Sequence, residues 1–327
     1  MKERRMREHG GNLDVARQRF GGAADDWIDL STGINRVPYP LVDVEPRNWS
    51  ALPSRSDLES LHDAARQAYA TDASIVAMGG AQAAIQLLPH LAPLGRARIL
   101  APTYNEYAAV LSAAGWDVAE VSDLAALAGA DIAVVVNPNN PDGRRHDRRE
   151  LLALLPRVGR LVIDESFADA VPDLSLAPEA GRAGLLILRS FGKFYGLAGL
   201  RLGFAIGSEA DIAALAAMAG PWPVSGAAIA IGRRALLDHD WAKATAARLV
   251  DDCVRLDAMA RSQGWTLVGG TLLFRLYQTD DALAAQEILA RAQIWSRVFQ
   301  QKPGWLRLGL PGSEAEWSRL SAVLSSV

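Results

Sequence analysis

Residues 190–201 read Ser190-Phe191-Gly192-Lys193-Phe194-Tyr195-Gly196-Leu197-Ala198-Gly199-Leu200-Arg201, directly after the apolar run 185–188. The pattern places Lys193 in a loop at the end of a strand. A lysine amine can hold an aldehyde group as a Schiff base. A hydroxyl three residues before it and an arginine eight residues after it can hold a phosphate. Taken alone, a lysine in a glycine-bearing loop is an ordinary solvated charge. Ser190-x-x-Lys193 also has the spacing of a serine acyl nucleophile. That chemistry requires Ser-Asp-Asn and Lys-Thr-Gly partners, which the chain lacks, and a helix start where this chain has a strand end.

Working outward, short apolar runs at 99–101, 118–121, 132–136, 161–163, 185–188 and 204–206 alternate with helical patterns. Their near-continuous apolar character predicts a mostly parallel sheet covered on both faces by helices. Ser56-Asp57-Leu58-Glu59 reads as a capping box opening a helix whose face carries Leu58, Leu61, Ala65 and Ala68. After Ser225 the pattern changes. An alanine-rich helical stretch over 238–263 leads to two apolar runs (266–268 and 272–277) and a helix over 282–292. Further runs around Val298 and at 306–310 precede a last helix from Glu314. The predicted organisation is an N-terminal arm (1–35) packing with the small domain, a large domain (36–224) and a small α+β domain (225–327).

Composition excludes several classes. The length of 327 residues suffices for a large core with a second lobe. No apolar run of about 18 residues appears, so no membrane span is expected. The start Met1-Lys2-Glu3-Arg4-Arg5-Met6-Arg7-Glu8 is charged and does not read as a secretory signal. The single cysteine, Cys253, fits a reducing cytoplasm. A net charge of −3 points away from nucleic acid, and the basic cluster 144–149 reads as a solvated loop before a helix. Five scattered histidines without metal-ligand spacing predict no metal site.

Three successive strand runs end in polar residues, at the carboxyl edge where open α/β sheets bind ligands. Asn137-Pro138-Asn139-Asn140-Pro141-Asp142-Gly143 follows the first, Asp164-Glu165-Ser166-Phe167 the second and the lysine loop the third. Each has a bland reading as a turn or a helix cap. In this order they resemble the Asn-Pro-x-Gly, Asp-Glu and Ser-x-x-Lys landmarks of the fold-type-I pyridoxal-5'-phosphate (PLP) enzymes, the aspartate aminotransferase superfamily.

The resemblance implies PLP as cofactor, Lys193 as its covalent anchor and Asp164 as partner of its pyridine nitrogen, with Asn140 bonding the phenolic oxygen. It implies a phosphate cradle from Gly80, Ala81 and Gln82 at the start of a helix, completed by Ser190 and Arg201. Tyr104 is the ring expected to stack on the cofactor, with Tyr107 the alternative. Two positions depart from the superfamily pattern. Phe167 stands where many members carry a tyrosine, and Leu52, within 49–53, stands in the stretch from which many send a partner-subunit tyrosine to the cofactor phosphate.

His9-Gly10-Gly11-Asn12, Asp29-Leu30-Ser31-Thr32-Gly33-Ile34-Asn35 and Pro38-Tyr39-Pro40 resemble the L-threonine-O-3-phosphate decarboxylases of cobalamin biosynthesis, as does the stretch from Gln300 to Pro311. That resemblance implies decarboxylation of an amino-acid phosphate by a homodimer. Arg307 would hold the substrate carboxylate, and Arg297, His9 and Asn35 are candidates for its phosphate. A histidinol-phosphate-type aminotransferase is the alternative favoured by the general motifs. A PLP-binding partner protein assisting corrin amidation is the non-enzymatic one. The lysine assignment predicts a yellow protein in which borohydride fixes the cofactor to Lys193. Peptide mapping of the reduced adduct checks this, and an adduct on any other lysine contradicts it.

Overall fold

The computed structural model describes residues 9–41 and 43–325; the charged start at 1–8 lies outside the described residues. Two compact units are present. One comprises the described residues up to Val37 together with those from Leu249 onward, and the other is Pro38–Arg248.

The larger unit is built on a seven-stranded sheet. From one edge to the other its strands are Ser74–Met78, Gly203–Gly207, Leu185–Ser190, Arg160–Asp164, Ile132–Val136, Arg96–Leu100 and Asp117–Val121. Gly203–Gly207 runs antiparallel to both neighbours, and every other pairing is parallel. All five residues of Ile132–Val136 are buried, so both faces of the strand are covered, as its unbroken apolar run predicts. Register fixes the functional edge: Val136 pairs with Asp164 and Asp164 with Leu188. Three parallel strands therefore end side by side, and the three polar segments after them leave from one edge. Val134, Val162 and Leu186 share a core cluster with Ile85, Tyr107, Leu111 and Trp116.

The edge strand Ser74–Met78 does not appear among the sequence-predicted runs. The capping box is also shifted by two residues. The helix is Arg55–Ala68 and its N-cap is Ser54, whose Oγ accepts from the Asp57 N–H at 3.2 Å, while Asp57 Oδ2 accepts from the Ser54 N–H at 2.9 Å. Ser56, expected at the cap, lies inside the first turn. The larger unit extends past the predicted cut at 224/225 to Arg248. Helix Gly226–Leu237 packs on Arg55–Ala68, where an added Cβ at Gly232 would lie 3.3 Å from Leu61 Cδ1.

The smaller unit holds a four-stranded antiparallel sheet in the order Arg297–Phe299, Lys302–Gly309, Phe274–Gln278 and Thr266–Thr271. A short strand at Ile28–Asp29 pairs in parallel with Ile294–Trp295. Helix Leu13–Phe20 buries Ala16 beside Trp27 and Ala290, and the Trp27 and Trp295 rings meet edge-on at 6.2 Å. Cys253 is buried, with its Sγ 3.7 Å from the Thr271 carbonyl, and burial pushes its thiol up to about 12. Among the described residues no helix is long and apolar enough to cross a membrane, and no group of His, Cys, Asp or Glu could hold a metal ion.

A buried ionic cluster is anchored in the strand Leu185–Ser190. Arg189 is buried in its strand, donates to Glu165 Oε2 at 2.7 Å and Asp169 Oδ1 at 2.9 Å, and lies over the Tyr69 ring at 4.3 Å. Removing one partner of a buried ion pair strands the others in a low dielectric. Arg189→Met keeps volume but leaves Glu165 and Asp169 unmatched, so guanidinium denaturation should show a loss of about 3–5 kcal/mol. Adding Glu165→Gln should recover part of it.

Candidate active site

A cavity of about 300 Å³ opens in the larger unit, and Asp164, Ser190 and Lys193, at two of the aligned strand ends, line it with Asn140. Gly80, Ala81, Gln82, Tyr104 and Arg201 complete its wall, so all nine residues singled out for the cofactor meet in one place. Ser166 and Phe167 line it too.

The acid end is built around Asp164, the buried last residue of its strand. Oδ1 accepts from the Ser166 N–H at 2.9 Å and the Ser166 hydroxyl at 2.5 Å. Oδ2 accepts from the Tyr107 hydroxyl at 2.7 Å. Burial, reinforced by the Asp164 charge, pushes the Tyr107 hydroxyl well above its ordinary range, so it stays a protonated donor. Tyr107 is therefore a core residue holding a carboxylate, whereas Tyr104 reaches the cavity wall. Tyr104 donates to Gln82 Oε1 at 3.2 Å, and Gln82 Nε2 donates to Glu106 Oε2 at 3.2 Å.

Asn140 is positioned by its predecessor. Asn139 Nδ2 donates to the Pro102 carbonyl (2.8 Å) and Asp142 Oδ1 (2.7 Å), while its Oδ1 accepts from the Thr103 hydroxyl at 2.7 Å. One buried amide thus ties the Asn-Pro loop to the segment that carries Tyr104. Lys193 lies on the short helix Phe191–Phe194, and its Nζ is 5.9 Å from the centre of the Phe167 ring.

The opposite end is a cationic cradle. Gly80 caps helix Ala81–Leu87 with φ of 82°, and Arg201 adopts the left-handed region at φ 56°. A Cβ at Gly80 would lie 2.8 Å from Arg201 Nη2, so the guanidinium and the helix start converge on space that only a glycine leaves open. Backbone N–H groups, a hydroxyl and a guanidinium suit a phosphate there. Lys193 suits an aldehyde, Asp164 a protonated ring nitrogen, and the Tyr104 ring an aromatic face.

His9, Asn35, Arg297 and Arg307 belong to the smaller unit. Arg307 and Arg297 are register partners on adjacent antiparallel strands. Arg307 is buried, lies over the Phe274 ring at 4.9 Å and donates to the Ser31 carbonyl at 2.6 Å. Burial, with the neighbouring Arg297 charge, pulls its guanidinium down to about 9, still cationic at neutral pH. The His-Gly-Gly-Asn segment packs on the same turn. The Gly11 N–H donates to Ser31 Oγ at 2.7 Å, and an added Cβ at Gly10 would lie 2.4 Å from the Ser31 carbonyl oxygen. Gly11 has φ of 87°, and Asn12 caps helix Leu13–Phe20. His9 is exposed at the start of this segment. Asn35 is buried, and its Oδ1 accepts from the Val37 N–H at 3.1 Å.

The profile of the family described as aminotransferase class I and II matches residues 48–324, and the chain belongs to that family. The family is PLP-dependent, and the cavity's residues fit that group. Threonine-phosphate decarboxylase from a Sinorhizobium species is 45% identical over 325 residues, covering 97% of each chain. The threonine-phosphate decarboxylase of Pseudomonas aeruginosa is 42% identical over 326 residues, covering 98% of this chain and 97% of its own. The crystal structure of histidinol-phosphate aminotransferase from Clostridium acetobutylicum shares the fold, with a TM-score of 0.79 at 19% identity over 91% of this chain and 99% of that one.

Gly80→Ala should weaken PLP binding about tenfold or more, equivalent to roughly 1.4 kcal/mol, and lower the melting transition as well, because alanine is strained at φ 82° and ψ 165°. Titration of apoprotein by visible absorbance checks this. Unchanged affinity would remove Gly80 from the cradle.

Proposed function

We propose that this chain decarboxylates L-threonine O-3-phosphate to (R)-1-amino-2-propanol O-phosphate and CO2, a step of cobalamin biosynthesis. The observation that carries the reading is the similarity to two threonine-phosphate decarboxylases over nearly the whole chain.

When bound, PLP supplies an electron sink for the pair released at the substrate Cα. The chain's own residues do the rest. Lys193 Nζ would anchor the cofactor and, once freed, could return a proton to the substrate Cα after CO2 leaves. Asp164 holds a proton on the ring nitrogen, and Asn140 bonds the phenolic oxygen. Gly80, Ala81, Gln82, Ser190 and Arg201 hold the cofactor phosphate, and Tyr104 covers the ring. Phe167 adds no donor where many relatives of the fold carry a hydroxyl, which leaves the phenolic oxygen to Asn140.

Reaction choice would rest on how the chain holds the substituents of the substrate Cα, a matter of about 1 Å in placement. The planar fork of Arg307 holds the carboxylate, and Arg297, with His9 and Asn35, holds the substrate phosphate. That phosphate carries roughly two negative charges at neutral pH. Each charge-assisted bond contributes about 1.5–3 kcal/mol, so plain threonine should bind at least tenfold worse. The chain acts in the cytoplasm as a homodimer; the exposed side chains of Trp49 and Leu52 are in keeping with a subunit contact.

Incubation with threonine phosphate should release CO2 without 2-oxoglutarate. Arg307→Ala should weaken substrate far more than the decarboxylated product phosphate, whereas Arg297→Ala should weaken both. Equal losses for both ligands in both variants would remove the division of labour. Glutamate formed from 2-oxoglutarate and histidinol phosphate, with no CO2 from threonine phosphate, would establish the aminotransferase instead.

A further inference from the structure

The hydroxyl of Tyr107 sits in an otherwise apolar cluster, where a phenylalanine ring would fill the same space without needing a partner. Its partner is Asp164. An ionised carboxylate offers roughly four acceptor positions. Protein donors take three of them here: the Ser166 N–H at 2.9 Å and its hydroxyl at 2.5 Å on Oδ1, and the Tyr107 hydroxyl at 2.7 Å on Oδ2. One acceptor position is left for the cavity that Asp164 lines.

We propose that Tyr107, acting with Ser166, is a positioning residue for Asp164, fixing the carboxylate in one orientation so that its remaining acceptor position meets the cofactor's ring nitrogen. This rests on the reading that Asp164 meets that nitrogen. The physical basis is geometric: donors on both oxygens stop the carboxylate from turning. A carboxylate stripped of one donor can rotate away, its bond to the ring nitrogen weakens, and the ring then draws electrons less strongly. Because the Tyr107 hydroxyl is itself held protonated by burial and by Asp164, it donates throughout the working range. The ring of Tyr107 also meets that of Tyr104 edge-on at 6.4 Å. Helix Glu106–Ala113, which carries Tyr107, is thereby tied both to the acid and to the aromatic ring on the cavity wall.

The test uses full-length holoprotein loaded with PLP carrying nitrogen-15 in its ring, with the ring-nitrogen resonance read by solid-state NMR in the absence of substrate. Tyr107→Phe should move the resonance toward that of the unprotonated base, by part of the displacement that Asp164→Asn produces. Ser166→Ala, which acts on the other oxygen from a loop outside the core, should move it in the same direction. A purely space-filling tyrosine would change thermal stability and leave the resonance in place. If Tyr107→Phe coincides with wild type while Asp164→Asn is displaced, the positioning role is overturned and the site reading stands. If Asp164→Asn also coincides with wild type, the placement of the ring nitrogen fails first. Should Tyr107→Phe not fold, an undisplaced resonance in Ser166→Ala overturns the proposal.

Discussion

The pairing of Val136 with Asp164 and of Asp164 with Leu188 is the constraint on which the site depends. Parallel strands in this register deliver their successors to one edge, so groups far apart along the chain arrive together without any loop having to fold precisely on its own. The antiparallel strand Gly203–Gly207 completes the arrangement. Ser190 pairs with Gly203, and a Cβ at Gly203 would lie 2.5 Å from the Ala81 nitrogen. The start of helix Ala81–Leu87 thus lies directly against the strand that follows Arg201, which brings Gly80, Ser190 and Arg201 to one cavity wall.

Chemistry that is contiguous in the sequence was legible there. The lysine loop, the Asn-Pro segment and Asp164 each carry their signal within a dozen residues, and the buried strands announce themselves by unbroken apolar runs. Partnerships across long separations were not legible. Tyr107 and Asp164 are 57 residues apart, so sequence put Tyr104 first for stacking but kept Tyr107 as the alternative. Only packing sends one to the cavity wall and the other into the core. Glu165 likewise reads as half of an acidic pair until Arg189, 24 residues later, is found beside it. At the helix start near residue 55, the sequence pointed to Ser56 as the cap. The choice falls to Ser54, whose extended backbone lets Asp57 answer it.

In the smaller unit the His-Gly-Gly-Asn motif has a structural reason that its spelling does not reveal. Gly10 is required because backbone meets backbone at the Ser31 carbonyl, the same oxygen that receives Arg307. Gly11 supplies a left-handed turn, and Asn12 starts a helix. The motif therefore acts as a brace on the turn that orients a buried arginine, while His9 at its exposed end is its only ionisable side chain. Across the strands, the Arg297 charge adds to burial in pulling the Arg307 guanidinium down.

Cys253 has a practical consequence. Its thiol is shielded within the smaller unit and pushed up to about 12, and the chain contains no other cysteine. Thiolate, the species that reacts with maleimides and iodoacetamides, is scarce at such a residue near neutral pH. A cysteine introduced on the surface would then be the one readily labelled position. Fluorophores or spin labels could be attached there without first stripping the native thiol from the protein.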